Sequence, residues 1–161
     1  MPTFDVPGAT EAITLDGSCR EKSWQSAFHS RPFADAKDST TPHTDLRALA
    51  DDSNLYLALD VADVDIEPAG DRVQLDIGLI HVVATPQGGT GPVGVKIAST
   101  SRDKAWTSEV AVPWSLLKRR TVPMRALRFD VNAGAPVHTL AWPDDGPGLL
   151  RFADKAGKPE P

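Results

Sequence analysis

Apolar and polar residues alternate with a period of two along much of the chain. In 54–63, Leu55, Leu57, Leu59 and Val61 share one face, and Tyr56, Ala58, Asp60 and Ala62 the other. In 71–78, Val73, Leu75 and Ile77 alternate with Arg72, Gln74 and Asp76. In 106–113, Val110 and Val112 lie opposite Glu109 and Ala111, and in 125–134, Leu127, Phe129 and Val131 alternate with Arg128, Asp130 and Asn132. This is the periodicity of strands that present one face to a core. Weaker stretches at 12–15, 44–50, 79–85, 93–99 and 149–153 bring the total to about nine strands, enough for two packed sheets. Helix is confined to 23–28 and to a single turn at 114–118 after Pro113, both shorter than an ordinary helix. The pattern predicts an all-β fold, a two-sheet antiparallel β-sandwich over 12–153. Residues 1–11, with Pro2, Pro7 and Gly8, and 154–161, with Pro159 and Pro161, read as tails.

Composition narrows the function classes. The 14 prolines and 12 glycines are scattered, which suits strands joined by turns. A net charge of −5 argues against nucleic acid or an anionic membrane as partner. No apolar run approaches the roughly 20 residues of a membrane span, so no membrane insertion is expected. Residues 1–8 lack the basic and apolar stretches of a signal peptide. Cys19 is the one cysteine, which rules out an internal disulfide.

Catalytic signatures are missing. No G-x-S-x-G elbow is present, and Gly88-Gly89-Thr90-Gly91 lacks the Lys-Ser/Thr of a phosphate loop, so it reads as a hairpin turn. The expectation is that the chain is not an enzyme. Asp16, Asp60, Asp63 and Asp71 could supply oxygen ligands to a hard cation such as calcium, converging from separate strands, or serve as turn and strand-end residues. The histidines His29, His43, His81 and His138 have no zinc-site spacing.

Six segments, in order, carry a family resemblance. Ile13-Thr14-Leu15-Asp16-Gly17 with Trp24 comes first, then Asp51-Asp52-Ser53-Asn54-Leu55-Tyr56 with Asp63. Asp71-Arg72-Val73-Gln74-Leu75-Asp76-Ile77 and Trp106-Thr107-Ser108-Glu109-Val110-Ala111-Val112-Pro113-Trp114 follow. Arg128-Phe129-Asp130-Val131-Asn132 and Ala141-Trp142-Pro143 close the series. Over about residues 12–153 the chain resembles the family-nine carbohydrate-binding modules and their DOMON-like relatives.

The resemblance implies a β-sandwich without chemistry of its own that binds terminal sugars, often with structural calcium, outside the cytoplasm or in the periplasm. It places ligand-binding residues at Gln74 and His81, with Trp142 at the rim, and packing roles at Trp24, Trp106 and Trp114. The family's tryptophan clamp has no counterpart, because neither Glu67-Pro68-Ala69-Gly70 nor Pro143-Asp144-Asp145-Gly146-Pro147-Gly148 contains an aromatic. A saccharide-binding module is the leading reading. The alternatives are a structural or protein-interaction domain that kept the sandwich, and a haem-binding DOMON-like domain with a histidine or Met124 as axial ligand.

Overall fold

The computed structural model describes residues 1–30, 32–33, 43–144 and 146–152. Its strands are β1 (Thr3–Val6), β2 (Phe28–His29), β3 (Thr44–Ala50), β4 (Asn54–Ala62), β5 (Arg72–Ile77), β6 (Ile80–Thr85), β7 (Gly88–Thr90), β8 (Lys96–Arg102), β9 (Ala105–Pro113), β10 (Thr121–Asp130), β11 (His138–Trp142) and β12 (Gly148–Phe152). A 3₁₀ turn at Lys22–Ser26 and one helical turn, α1 (Trp114–Leu117), are the helical pieces.

Seven strands form one sheet in the order β1-β12-β10-β5-β6-β7, with β11 also paired to β10; five form the other in the order β2-β3-β4-β9-β8. Every pairing is antiparallel except β1 with β12. The protein is a two-sheet β-sandwich. Leu46, Leu55, Leu57 and Leu59 from one sheet meet Val73, Leu75, Ile77, Met124 and Leu150 from the other in one continuous core. The alternation in the sequence produces this directly, because successive strand residues point to opposite faces.

The two outer faces differ. On β5 and β6 buried residues alternate with partly exposed ones, so the outer face of the seven-stranded sheet is open. On β4 and β9 almost every residue is buried, so both faces of the five-stranded sheet are covered. The cover is residues 9–27, a strap whose Ile13, Leu15, Cys19 and Trp24 pack on Leu49, Tyr56, Ala58 and Ala111. Thr107 Oγ1 donates to the Gly17 carbonyl, Thr100 Oγ1 donates to that of Asp16 at 3.2 Å, and the Cys19 N–H donates to Glu109 Oε1 at 3.2 Å. Gly17 has φ +80°, and a Cβ there would lie 2.7 Å from the Ser99 carbonyl carbon, so only glycine lets the strap approach so closely.

Three expectations need correction. Residues 12–15 are not a strand: they belong to the strap, where Ile13 and Leu15 alternate inward without a ladder partner. Residues 1–11 are not wholly a tail, because Thr3–Val6 pairs with Leu149–Phe152 and buries Val6 in the core. On β10 the inward face is Val122, Met124, Ala126, Arg128 and Asp130, leaving Leu127 and Phe129 on the outside. Ala153 and the tail 154–161 lie outside the described residues. Among the described residues no helix is long and apolar enough to cross a membrane.

Candidate functional site

The open face of the seven-stranded sheet gathers the outward side chains of β5, β6 and β10. Asp76 stands opposite Arg125 on one side and His81 on the other, and Gln74 stands between Leu127 and Val83. His81 Nδ1 lies 2.7 Å from Asp76 Oδ1, with both side chains more than half exposed. Gln74 is diagonal to His81 across the β5–β6 pair, a separation long side chains span. Arg72 donates to the Gly70 carbonyl at 3.0 Å and lays its guanidinium 4.2 Å from the centre of the Phe129 ring. Arg125 Nε is buried and has no hydrogen-bond partner. The face therefore offers an amide, a carboxylate, an imidazole and two guanidinium groups beside one aromatic ring. Sequence reasoning found Gln74 and His81 but missed Asp76, Arg125 and Phe129. The cross-strand register, which brings them together, was not available to it.

Trp142 is not at the rim of this face, which corrects the expectation drawn from the resemblance. It pairs in register with Ala126, an inward position, and is only 5% exposed. Successive residues of β11 alternate, so Leu140 and Trp142 share the inward face and Ala141 takes the outward place opposite Leu127. The Trp142 ring packs 5.2 Å from Phe4 and 5.7 Å from Phe28, centre to centre, and those two rings are 5.4 Å apart. Together with Pro2, His29, Pro32, Pro143 and Asp144 they line a cleft of about 690 Å³. Trp24 and Trp106 are buried, and Trp114 donates its indole N–H to the Asp51 carbonyl at 2.7 Å. Met124 is buried in the inter-sheet core.

The four aspartates separate. Asp16 lies in an exposed turn, accepting the Ser18 N–H at 2.8 Å and the Ser18 hydroxyl at 2.6 Å. Asp60 is exposed on β4 and pairs with Arg102 at 3.5 Å. Asp63 and Asp71 are buried together with Asp130, their ligand atoms within 4.8 Å of one another. Arg128, 1% exposed, reaches the same place: its Nη2 is 3.6 Å from Asp63 Oδ2 and 3.4 Å from Asp130 Oδ1, and Nη1 donates to Thr44 Oγ1 at 2.7 Å. Asp71 accepts the Glu67 and Val131 N–H groups, tying the β4–β5 connection to the end of β10.

Three buried carboxylates gather about one guanidinium. Burial, then Asp71 and Asp130, push the Asp63 carboxyl well above the usual carboxylate range. As a cation site the cluster offers three buried carboxylates, two of whose oxygens, Asp63 Oδ2 and Asp130 Oδ1, already face Arg128 Nη2. Beneath the strap, Glu109 repeats the theme singly: burial, with the nearby Asp16, pushes its carboxyl up to about 7.

No protein-family model matches the sequence, and no curated protein matches it. Solved structures do. The fold is that of a family-nine-like carbohydrate-binding-module sandwich. The chain is similar to a family-nine carbohydrate-binding module from Caldicellulosiruptor kristjanssonii in complex with glucose, with a TM-score of 0.78 and 13% identity over 99% of this chain and 100% of that one. It is also similar to one from the same organism in complex with cellotriose, with a TM-score of 0.74 and 13% identity over 93% of each chain. A putative carbohydrate-binding protein from Bacteroides uniformis superposes with a TM-score of 0.69 at 10% identity, over 94% of this chain and 99% of that one.

Proposed function

We propose that the protein is a non-catalytic saccharide-binding module that holds its ligand on the open face of the seven-stranded sheet. The observation that carries this reading is the convergence of Gln74, Asp76, His81 and Arg125 on an uncovered face beside Phe129. Adjacent sugar hydroxyls need donors and acceptors side by side, and an amide, a carboxylate, an imidazole and a guanidinium supply both. The sugar-bound neighbours of the same fold support the ligand class.

Titration calorimetry with glucose, cellotriose and a panel of other oligosaccharides tests the proposal. A saturable saccharide-specific heat is expected. Gln74→Ala and His81→Ala should each weaken it by about 3- to 10-fold, the worth of one hydrogen bond, and no oligosaccharide should be cleaved. A flat response from folded protein sinks the proposal. It would leave the protein-interaction reading, which is favoured by the Arg72 guanidinium lying over the one aromatic ring of the face.

Within the same reading, Asp63, Asp71 and Asp130 are the residues that would hold a structural calcium ion. The gathering of three buried carboxylate ligand atoms within 4.8 Å of one another supports this, and the ion would add to the charge of Arg128 and tie the β4–β5 connection to β10. Asp16 and Asp60 do not belong to this cluster: one lies in the strap and the other beside Arg102.

A further inference from the structure

The β5–β6 hairpin holds one pair of side chains in a defined relation on the open face. Ile77 and Ile80 are register partners, so the loop between them is the two residues Gly78 and Leu79. Gly78 takes φ +60° at the first loop position, where a tight hairpin turn favours glycine, and its N–H donates to the Pro123 carbonyl at 2.8 Å. Ile77 and Ile80 are buried in the core, and the next pair away from the loop is Asp76 and His81. Turn and core together fix the register, so these two side chains stand opposite each other on the outer face.

Their contact involves one particular nitrogen of the ring. It is His81 Nδ1 that lies 2.7 Å from Asp76 Oδ1. A carboxylate only accepts, so in the neutral imidazole the proton of this bond sits on Nδ1 and Nε2 keeps a bare lone pair. Among the described residues no protein group bonds to Nε2. Without an acceptor at Nδ1, a histidine in water carries its proton mainly on Nε2. Asp76 therefore reverses what the distal nitrogen offers, from a donor to an acceptor.

We infer that Asp76 is a positioning residue: it holds the His81 proton on Nδ1, so that Nε2 meets a ligand as an acceptor and selects a group that donates. Resting on the saccharide reading, this names the group His81 takes, a sugar hydroxyl acting as donor. An ether, carboxylate or sulfate oxygen at the same place would set lone pair against lone pair. A hydroxyl donates and accepts at once, and the amide of Gln74, diagonal to His81, can donate to the same oxygen. Arg125 stands opposite Asp76 on β10 and carries donors only. The row across the three strands thus runs from guanidinium through carboxylate to imidazole, with its acceptor at the His81 end.

The test is long-range proton–nitrogen correlation NMR of the isotope-labelled full chain at about pH 9, well above the ordinary imidazole range of about 6.5. His81→Ala assigns the His81 signals by their loss. In wild type Nδ1 should carry the proton and Nε2 none, and in Asp76→Ala the proton should move to Nε2. Both variants should melt near wild type, since the Asp76 and His81 side chains are 58% and 56% exposed. The inference is overturned if wild type carries the proton on Nε2, or if Asp76→Ala leaves it on Nδ1. Calorimetry then compares glucose with its mono-deoxyfluoro isomers, in which a fluorine replaces one hydroxyl and has no proton to donate. One isomer should bind wild type about 3- to 10-fold more weakly than glucose, the worth of one hydrogen bond, and this deficit should vanish in His81→Ala. Isomers that all bind as glucose does would overturn the selection of a donor. If no saccharide binds at all, the proposed function falls, and the NMR result still decides the role of Asp76.

Discussion

Trp142 shows how one position in a strand decides a side chain's role. Its ring closes the sandwich edge with Phe4 and Phe28, and Gly148 makes room: a Cβ there would come within 2.8 Å of the Phe4 ring. Trp142→Ala is expected to cost about 3–5 kcal/mol of stability, the range for truncating a buried aromatic, measured by urea unfolding. Saccharide affinity of the protein that remains folded should be unchanged; a selective loss of binding at full stability would restore the indole as a platform. The orientation was legible after the fact, since Leu140 and Trp142 are the bulky apolar partners of the smaller Thr139 and Ala141. Asp51 was legible only as part of a motif. Its Oδ1 accepts the Ser53 and Asn54 N–H groups at 2.8 Å each and its Oδ2 accepts the Tyr56 hydroxyl at 2.9 Å, which explains the spacing as turn chemistry. Arg128 and Asp130 were not legible, because charged residues alternating with Leu127 and Phe129 read as the solvent face. Only the company of Asp63 and Asp71 makes burying them tolerable.

Elements with strong period-two patterning, β4, β5 and β9, came through within a residue or two. Those that failed lack a signal of their own. The two-residue β2 and the glycine-rich β7 are too short for a pattern, and β1 gains its place only by pairing with a strand near the other end of the chain. Within the strap, residues 12–15 alternate as a strand does, yet Ile13 and Leu15 face the outer side of a sheet rather than a ladder partner. That docking carries a pH dependence. Glu109, ordinarily near 4.5 and here raised to about 7, makes its contribution when protonated beside Asp16. The contribution is complete below about pH 4.5 and is lost as pH rises through 7, when a buried carboxylate would face the Asp16 charge. Comparing melting temperatures of wild type and Glu109→Gln across this range isolates the effect. The variant should gain relative to wild type as pH rises, whereas parallel curves would show that Glu109 does not govern the strap.

For the whole molecule, the Asp63, Asp71 and Asp130 cluster joins the β4–β5 connection to the far end of β10, so its charge balance bears on global stability. Calcium should raise the melting temperature in proportion to the logarithm of its excess over Kd, and a chelator should remove the gain. In Asp130→Asn the calcium response should shrink, since the site loses a charged ligand. A melting temperature indifferent to calcium and chelator would leave Arg128 and a proton as the cluster's counter-charges.

The pairing of β1 with β12 is parallel, Thr3 beside Leu149 and Val6 beside Phe152. The chain thus enters β1 at one end of the sandwich and leaves β12 at the other. Tension applied through neighbours on both sides would drag the two strands lengthwise past each other. All their ladder contacts would then bear the load at once, and none could be unzipped first.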